Sequence, residues 1–328
     1  MERARETAAI GVIGAGAIAR TVHLPVLTAT PETSVAFVAD ADGRRAAEVA
    51  AAFGVPHVPL ERLPQVLPGC EAVLLAIPVS VRAPYLAMLS AAGVTALVEK
   101  PFARTVAEHE AALQAFPPHR LACGFMRRTY AATRLARRIL EEGWLGPPRR
   151  LRAAEGGRTT KTGVDASPFD RGTAGGVLLD LGCHALDLAF HLTGARGHQV
   201  VRAERVLDGP VDRRAEGEVL LLRNGEAPLP LQYVFSWLDP QEDCLEIEFD
   251  TARLRLHAKP ERPLTLGGKN LTGEVPLVDP AAGATTSAQA FYLEWRLVLD
   301  AARAGTPSPL AAASCLPLTA LLEELHTR

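Results

Sequence analysis

The chain has 328 residues, 48% of them apolar and 22% charged, with a formal net charge of −2. That length accommodates two domains of ordinary size, and the mean hydropathy of +0.09 is that of a globular protein. No long basic run offers a footprint for nucleic acid, and no apolar run approaches the ~20 residues of a membrane helix. Residues 1–7 are polar and lead straight into a strand-like run, which fits neither a signal peptide nor a transit sequence. Five cysteines, Cys70, Cys123, Cys183, Cys244 and Cys315, are scattered without a CxxC motif. Such a pattern reads as buried free thiols in a reducing compartment. A cytoplasmic protein is expected, with no nucleic-acid or membrane partner and no metal site.

In chain order, strands are predicted at Ala8–Ile13, Ser34–Ala39, Val55–Val58, Ala72–Ile77, Thr95–Val98 and Leu121–Gly124. Helices are predicted between them at 16–29 (interrupted at His23-Leu24-Pro25), Gly43–Phe53, 80–92 and 104–115. Repeated βα units call for a doubly wound parallel sheet, so residues 1–125 read as an α/β Rossmann domain. A helix at 129–143 ends at Gly143, ahead of Pro147-Pro148. Residues 156–176 form a loop rich in Gly, Thr and Asp, and a helix follows at 177–193. Strand-like runs then come at 199–207, 216–223, 229–237, 243–249 and 252–257. In the fourth of these Leu245, Ile247 and Phe249 alternate with Glu246 and Glu248, so one face is buried. Helices at 287–304 and 310–326 complete the chain. Residues 126–328 therefore read as an α+β domain with an open, mostly antiparallel sheet, with 310–328 as a segment that can pack back on the first domain.

Gly14-Ala15-Gly16-Ala17-Ile18-Ala19 is a G-x-G-x-x-A turn between the first strand and the first helix. Gly14 permits the tight turn, Gly16 lets a pyrophosphate approach the backbone, and Ala19 allows close helix–strand packing. The helix start supplies free N–H groups and a positive dipole end for phosphates. The second strand ends on Asp40, whose carboxylate can accept hydrogen bonds from both ribose hydroxyls and would repel a 2′-phosphate, which favours NAD. Arg44 and Arg45 leave NADP open, and a cap for helix Gly43–Phe53 is the alternative reading of Asp40.

Two further segments place titratable groups where a buried site needs them. Val98-Glu99-Lys100-Pro101 ends a strand, and Lys100 is one of four lysines among 35 basic residues. In Asp180-Leu181-Gly182-Cys183-His184-Ala185-Leu186-Asp187, helical spacing sets Asp180, His184 and Asp187 on one face, with Cys183 as packing. Oxidising a secondary alcohol removes a hydride and a proton, and histidine suits the proton transfer because its ordinary pKa of ~6.5 lies near working pH. His184 is assigned that role. Lys100 is assigned donation to the reacting oxygen, and Asp180 orients the imidazole or binds an adjacent hydroxyl. The plain alternative is a helix-capping Asp180 beside a core histidine.

These pieces together resemble the glucose–fructose oxidoreductase / inositol dehydrogenase (Gfo/Idh/MocA) family. The matches are Gly14-Ala15-Gly16, Ala76-Ile77-Pro78, Glu99-Lys100-Pro101, and Gly175-Gly176 leading into Asp180-x-Gly182-x-His184-x-x-Asp187, in an order that covers the chain nearly end to end. The resemblance implies hydride exchange between NAD or NADP and a hydroxyl-bearing carbon of a sugar, cyclitol or nucleotide-linked sugar. It implies a catalytic group of Lys100, Asp180 and His184. Its cofactor contacts would be Gly14, Gly16, Ala17, Ile18, Ala19, Asp40, Ala76, Pro78, Glu99 and Lys100. Asp187 would bind substrate or support His184, and the open sheet would join copies into a dimer or tetramer. Apart from the resemblance, the polar loop with Lys161 and Thr162 ahead of the catalytic helix reads as pocket lining or as solvated loop, and Arg128 as a substrate contact or a solvated charge.

The chain departs from that pattern in two places. After Ala76-Ile77-Pro78 it reads Val79-Ser80-Val81-Arg82, where many relatives carry Asn and then His; Arg82 reads equally as a phosphate contact or a helix cation. Met126 stands where relatives often carry Asn, and Arg127 and Arg128 read as solvated charges at a helix start more readily than as contacts to an anion. Two other functions share the resemblance: an enzyme that retains its nicotinamide through the cycle, as in glycosidic-bond cleavage or sugar–sugar hydride transfer, and a non-catalytic dinucleotide-dependent regulator.

Overall fold

Short runs rich in Val, Leu and Ile form the strands of the first unit: β1 Ala8–Ile13, β2 Thr33–Ala39, β3 Ala72–Leu75, β4 Thr95–Val98 and β5 Leu121–Cys123. Both faces of this sheet are covered, so β3 and β4 are buried at every position rather than alternating. All pairings are parallel and the order is β2-β1-β3-β4-β5. The chain therefore reverses direction across the sheet between β1 and β3, where the carboxyl ends of two strands open a crevice. The structure is a computed structural model and describes residues 7–158, 175–271 and 283–328.

Helices α1 Leu24–Ala29, α2 Gly43–Phe53, α3 Leu63–Val66, α4 Arg82–Ala91 and α5 Val106–Ala115 connect these strands. A widened π turn, Ala19–His23, precedes α1. Pro25, which has no N–H to give the preceding turn, lies two residues beyond it, in the first turn of α1. Val55–Val58 is not a strand: it contributes one bridge, His57 to Val38. Its β-branched residues lie at the edge of the sheet with no run of partners.

The second unit holds α6 Ala131–Glu141, β6 Arg150–Gly156, α7 Cys183–Thr193 and the strands β7 Gly197–Asp208, β8 Val211–Leu222, β9 Leu229–Ser236, β10 Cys244–Glu248 and β11 Arg253–His257. Short strands β12 Thr265–Leu266 and β13 Lys269–Asn270 complete an eight-stranded sheet ordered β13-β12-β11-β10-β6-β9-β8-β7. It is antiparallel throughout except where β6 meets β9. One face carries the apolar side chains Leu151, Leu231, Phe235, Ile247 and Leu254, all buried. The other carries paired charges, Arg150 with Glu248 and Arg152 with Glu242, around a recess of about 270 Å³.

Helices α8 Ser287–Ala304 and α9 Leu316–Thr327 finish the chain. By its contacts the first unit comprises Met1–Ala103, Ala107–Gly124 and Phe291–Ser314; the second comprises Arg104–Val106, Phe125–Ala290 and Cys315–Arg328. The segment that groups with the Rossmann unit is thus Phe291–Ser314, which shares 310–314 with the expected 310–328. Trp295, Val298, Leu299 and Leu310 supply the reason, since all four enter the core cluster built on β1 and β3. In contrast, α9 packs on α7 and β7.

Candidate functional site

In the first unit the glycine turn sits at the reversal between β1 and β3. Gly14 has φ +105°, and a Cβ there would lie 2.2 Å from the Ala76 carbonyl oxygen, so no other residue fits without moving backbone. At Gly16 a Cβ would meet nothing within 4 Å. That open space over a helix start is the cradle a pyrophosphate requires, and Ala17 beside it is exposed. Ala19 is fully buried under the turn, while Ile18, Ala76 and Pro78 are half-buried around it. The residues present fit a dinucleotide.

Asp40 closes the other side. Its Oδ2 accepts the Ala15 N–H at 2.7 Å, and its Oδ1 accepts the Asp42 N–H at 2.8 Å and the Arg45 guanidinium at 2.6 Å. Burial works against the charge, but these donors, Arg45 foremost, hold the carboxyl below its ordinary value. The cap of α2 is Asp42, which accepts the Arg45 N–H. Asp40 is thereby left to the turn.

Glu99 is turned inward. Its Oε1 accepts from His23 Nε2 at 2.8 Å, and its Oε2 accepts the Lys100 N–H at 3.2 Å. Trp295 Nε1–H donates to His23 Nδ1 at 3.2 Å, which leaves Nε2 as the protonated nitrogen facing Glu99. Burial opposes ionisation of Glu99, yet His23, with Lys100 and Arg82, keeps its carboxyl below the usual value. This chain of hydrogen bonds fixes the backbone at Lys100, whose side chain is half-buried.

In the second unit a π turn, Leu178–Gly182, runs into α7. Gly175-Gly176 precedes it because Asp212 accepts the Leu178 N–H at 2.8 Å, and a Cβ on Gly176 would lie 2.1 Å from that carboxylate. The widened turn takes Asp180 off the α-helical register that its spacing implies. Asp180 is half-buried, His184 is 9% exposed against the edge of the Phe125 ring, and Asp187 is 1% exposed. The three do not share one environment.

Asp187 instead meets Arg128 in a bidentate pair, Nε to Oδ2 at 2.8 Å and Nη2 to Oδ1 at 2.5 Å. Arg127 forms a similar pair with Glu155, at 2.5 and 3.0 Å. Both arginines are buried, so the reading of solvated charges is corrected; the carboxylates they neutralise arrive from α7 and β6. Arg128 and Asp187, expected on the substrate, are taken up by each other. Lys161 and Thr162 lie outside the described residues.

Residues 8–124 match the model of the oxidoreductase family with an NAD-binding Rossmann fold (GFO/IDH/MocA), and residues 133–255 match the GFO/IDH/MocA C-terminal domain. The chain belongs to the GFO/IDH/MocA family. A dTDP-3,4-didehydro-2,6-dideoxy-alpha-D-glucose 3-reductase of Streptomyces antibioticus is 34% identical over 200 residues, 60% of each chain. The scyllo-inositol 2-dehydrogenase (NAD(+)) of Bacillus subtilis (strain 168) is 28% identical over 204 residues, 61% of this chain and 58% of its own. The match thus spans about six tenths of these relatives' length. In fold, an aldose-aldose oxidoreductase from Caulobacter crescentus superposes with a TM-score of 0.81 at 18% identity, over 98% of this chain and 97% of that one.

In this GFO/IDH/MocA chain Arg82, which the sequence marks, takes a different role, and His23 and Trp295 carry bonds that local sequence patterns do not reveal. Arg82 is neither a phosphate contact nor a helix cation. It is 2% exposed and donates to the carbonyls of Ile77 (3.0 Å), Phe102 (3.1 Å) and Pro101, stapling the segment beyond Lys100. His23 and Trp295 lie 76 and 272 residues from the partners they bond, a separation that no local pattern reveals.

Glu294, on α8, is wholly buried, and neither carboxyl oxygen has a hydrogen-bond partner among the described residues. Burial, and then the charge of Glu99, pushes its carboxyl well above the ordinary value of 4.5. The folded chain keeps this proton where the unfolded chain has lost it. Stability contributed by the group is therefore full below the unfolded value and falls as pH rises toward the folded one. Glu294→Gln is neutral at every pH. Its stability advantage over the parent should grow with pH above 4.5, at up to about 1.4 kcal/mol per pH unit, and its melting temperature should rise relative to the parent in step. Melts at several pH values check this, and a difference independent of pH would refute it.

Proposed function

We propose that the chain is an NAD(P)-dependent oxidoreductase that moves a hydride between nicotinamide and a secondary alcohol or ketone of a sugar, cyclitol or nucleotide-linked sugar. The observation that carries this reading is the glycine cradle tied to Asp40 in a chain that also keeps Lys100, Asp180 and His184 as the catalytic group. The bound nicotinamide supplies the two-electron acceptor or donor. His184 takes the hydroxyl proton as the hydride leaves the same carbon, and returns one to the oxygen in the reverse direction. Lys100 donates a hydrogen bond to the reacting oxygen and stabilises its alkoxide character in the transition state. Asp180 orients the imidazole or binds a neighbouring hydroxyl. The substrate class is supported by the printed activities of the curated relatives, which include a nucleotide-sugar 3-reductase and an inositol dehydrogenase.

Nicotinamide absorbance tests the reading directly, with NAD or NADP and a panel of polyols, aldoses and nucleotide-linked sugars, and with keto-sugars in reverse. Lys100→Ala should lower turnover by about 10²–10³-fold, the usual loss for one oxyanion donor. Unchanged turnover in that variant would remove Lys100 from the chemistry. Parent enzyme that binds cofactor yet never changes its net redox state across the panel would favour a retained-cofactor enzyme.

The reading includes self-association through the charged face of the second unit's sheet and a cytoplasmic setting. All five cysteines are buried and free, and among the described residues no helix is long and apolar enough to cross a membrane.

A further inference from the structure

Strand β8 breaks its own alternation at one point. Ala215, Gly217, Val219 and Leu221 are buried on the apolar face. Strict alternation would send Asp212 to the opposite face, beside Arg214 with its partners Glu216 and Asp239. The register slips instead: Val206 pairs with Arg214 but Leu207 pairs with Asp212, so Arg213 is an extra residue. Such a bulge re-aims the side chain beside it, and Asp212 turns inward to 1% exposure.

There its Oδ2 accepts the Leu178 N–H at 2.8 Å, at the start of the π turn Leu178–Gly182. The carboxylate also lies against Gly176, where a Cβ would overlap it, and the Gly176 carbonyl accepts the Asp180 N–H at 3.0 Å. At the far end of the turn, a Cβ on Gly182 would stand 2.8 Å from the Phe235 ring of β9. The sheet thus grips the turn that carries Asp180 at both ends, each time at a glycine. Asp212 Oδ1 has no hydrogen-bond partner among the described residues. A buried carboxylate left half unsatisfied costs stability. What the fold gains is a fixed acceptor at the positive end of that helix.

We propose that Asp212 is a positioning residue for hydride transfer: by capping the π turn from the sheet, it fixes where Asp180 stands relative to His184. The inference rests on the reading of Asp180 and His184 as catalytic, and goes beyond it by naming a residue on another element that sets their geometry. In a regular α-helix Asp180 and His184 would lie one turn apart on one face. The widened turn changes that offset, so whatever holds the turn also sets the relation between the two groups. A misplacement on the order of 1 Å in such a pair costs about 10²-fold in rate.

Steady-state kinetics on the whole chain, with the substrate that responds in the nicotinamide panel, and backbone amide exchange read by mass spectrometry provide the test. Asp212→Ala should lower kcat by about 10–10²-fold while the NADH dissociation constant stays within about twofold. Amide exchange over 176–184 should quicken in that variant. Asp212→Asn keeps an acceptor for the Leu178 N–H and should restore kcat to within about threefold of the parent. In an Asp180→Ala background, adding Asp212→Ala should cost less than about threefold more, because both changes act on one group. A purely structural role would repeat the full loss in that background. If Asp212→Ala does not fold, Gly176→Ala, whose methyl overlaps the same carboxylate, takes its place in each comparison. Turnover in Asp212→Ala within about threefold of the parent, equal losses in the Asn and Ala variants, unaltered exchange over 176–184, or a full further loss beyond Asp180→Ala would overturn the proposal. Asp180→Ala impaired while Asp212→Ala is not overturns this inference alone. Asp180→Ala with parental turnover overturns the catalytic reading of Asp180 and this inference with it.

Discussion

Replacing His184 with alanine should lower kcat by about 10²–10⁴-fold, the range that a positioned general acid–base supplies, while the dissociation constant for NADH stays within about twofold. The split follows from placement. His184 belongs to the second unit, on the helix that opens with the π turn Leu178–Gly182, whereas the glycine cradle and Asp40 belong to the first. The imidazole is 9% exposed and rests against the edge of Phe125. Removing it leaves a cavity as well as a missing base, so His184→Gln, which refills much of the volume without a titratable nitrogen, should lose turnover to a similar degree. Stopped-flow or steady-state absorbance on a responsive substrate, beside a cofactor titration, reads both quantities. Turnover retained in either variant would show that another group moves the proton, and a parallel collapse of NADH affinity would point to a structural defect instead.

Asp187→Asn should destabilise the protein by about 3–5 kcal/mol, because it removes the carboxylate that pairs in bidentate fashion with the buried Arg128 guanidinium. The pair is as dry as an ion pair becomes, with side-chain exposures of 3% and 1%. Burial together with Arg128 and Arg137 also holds His191, one turn beyond Asp187, at a pKa of about 3, so that imidazole cannot share the charge. Arg128→Met should cost a similar amount by stranding the carboxylate. The double variant Arg128→Met, Asp187→Leu should recover most of the loss, since a buried ion pair exchanged for apolar groups of similar volume is often neutral or better. Urea denaturation of the four proteins reads these differences, and Asp187→Leu alone closes the cycle. A single-variant loss below about 1 kcal/mol would mean that water reaches the pair and that a direct substrate role for Asp187 has to be taken up again.

Where local chemistry decides the outcome, the sequence was legible. The strand–turn–helix at Gly14-Ala15-Gly16 needs a positive φ and small side chains within a few residues, and both are visible in the residue types. Helix Gly43–Phe53 and helix Ser287–Ala304 were read to the residue. Strand β6 was not read at all. Arg150–Gly156 mixes charges with small residues and becomes a strand because β10 pairs on one side and β9 on the other. Val55–Val58 failed in the opposite sense: strong strand propensity found a single bridging partner.

At the candidate site the same division holds. The glycine cradle and the acidic residue after β2 follow from residue types within a short stretch of sequence. So does the choice of a doubly wound sheet followed by an open antiparallel one, because apolar periodicity is a local property. Only tertiary structure decided what each charge faces. Glu99 faces His23, which Trp295 holds in turn, Arg82 faces three carbonyls, Arg128 faces Asp187 and Arg45 faces Asp40. A buried charge must find its counter-charge wherever the folded chain places one, and most of these partners are separated in sequence by far more than one turn of helix.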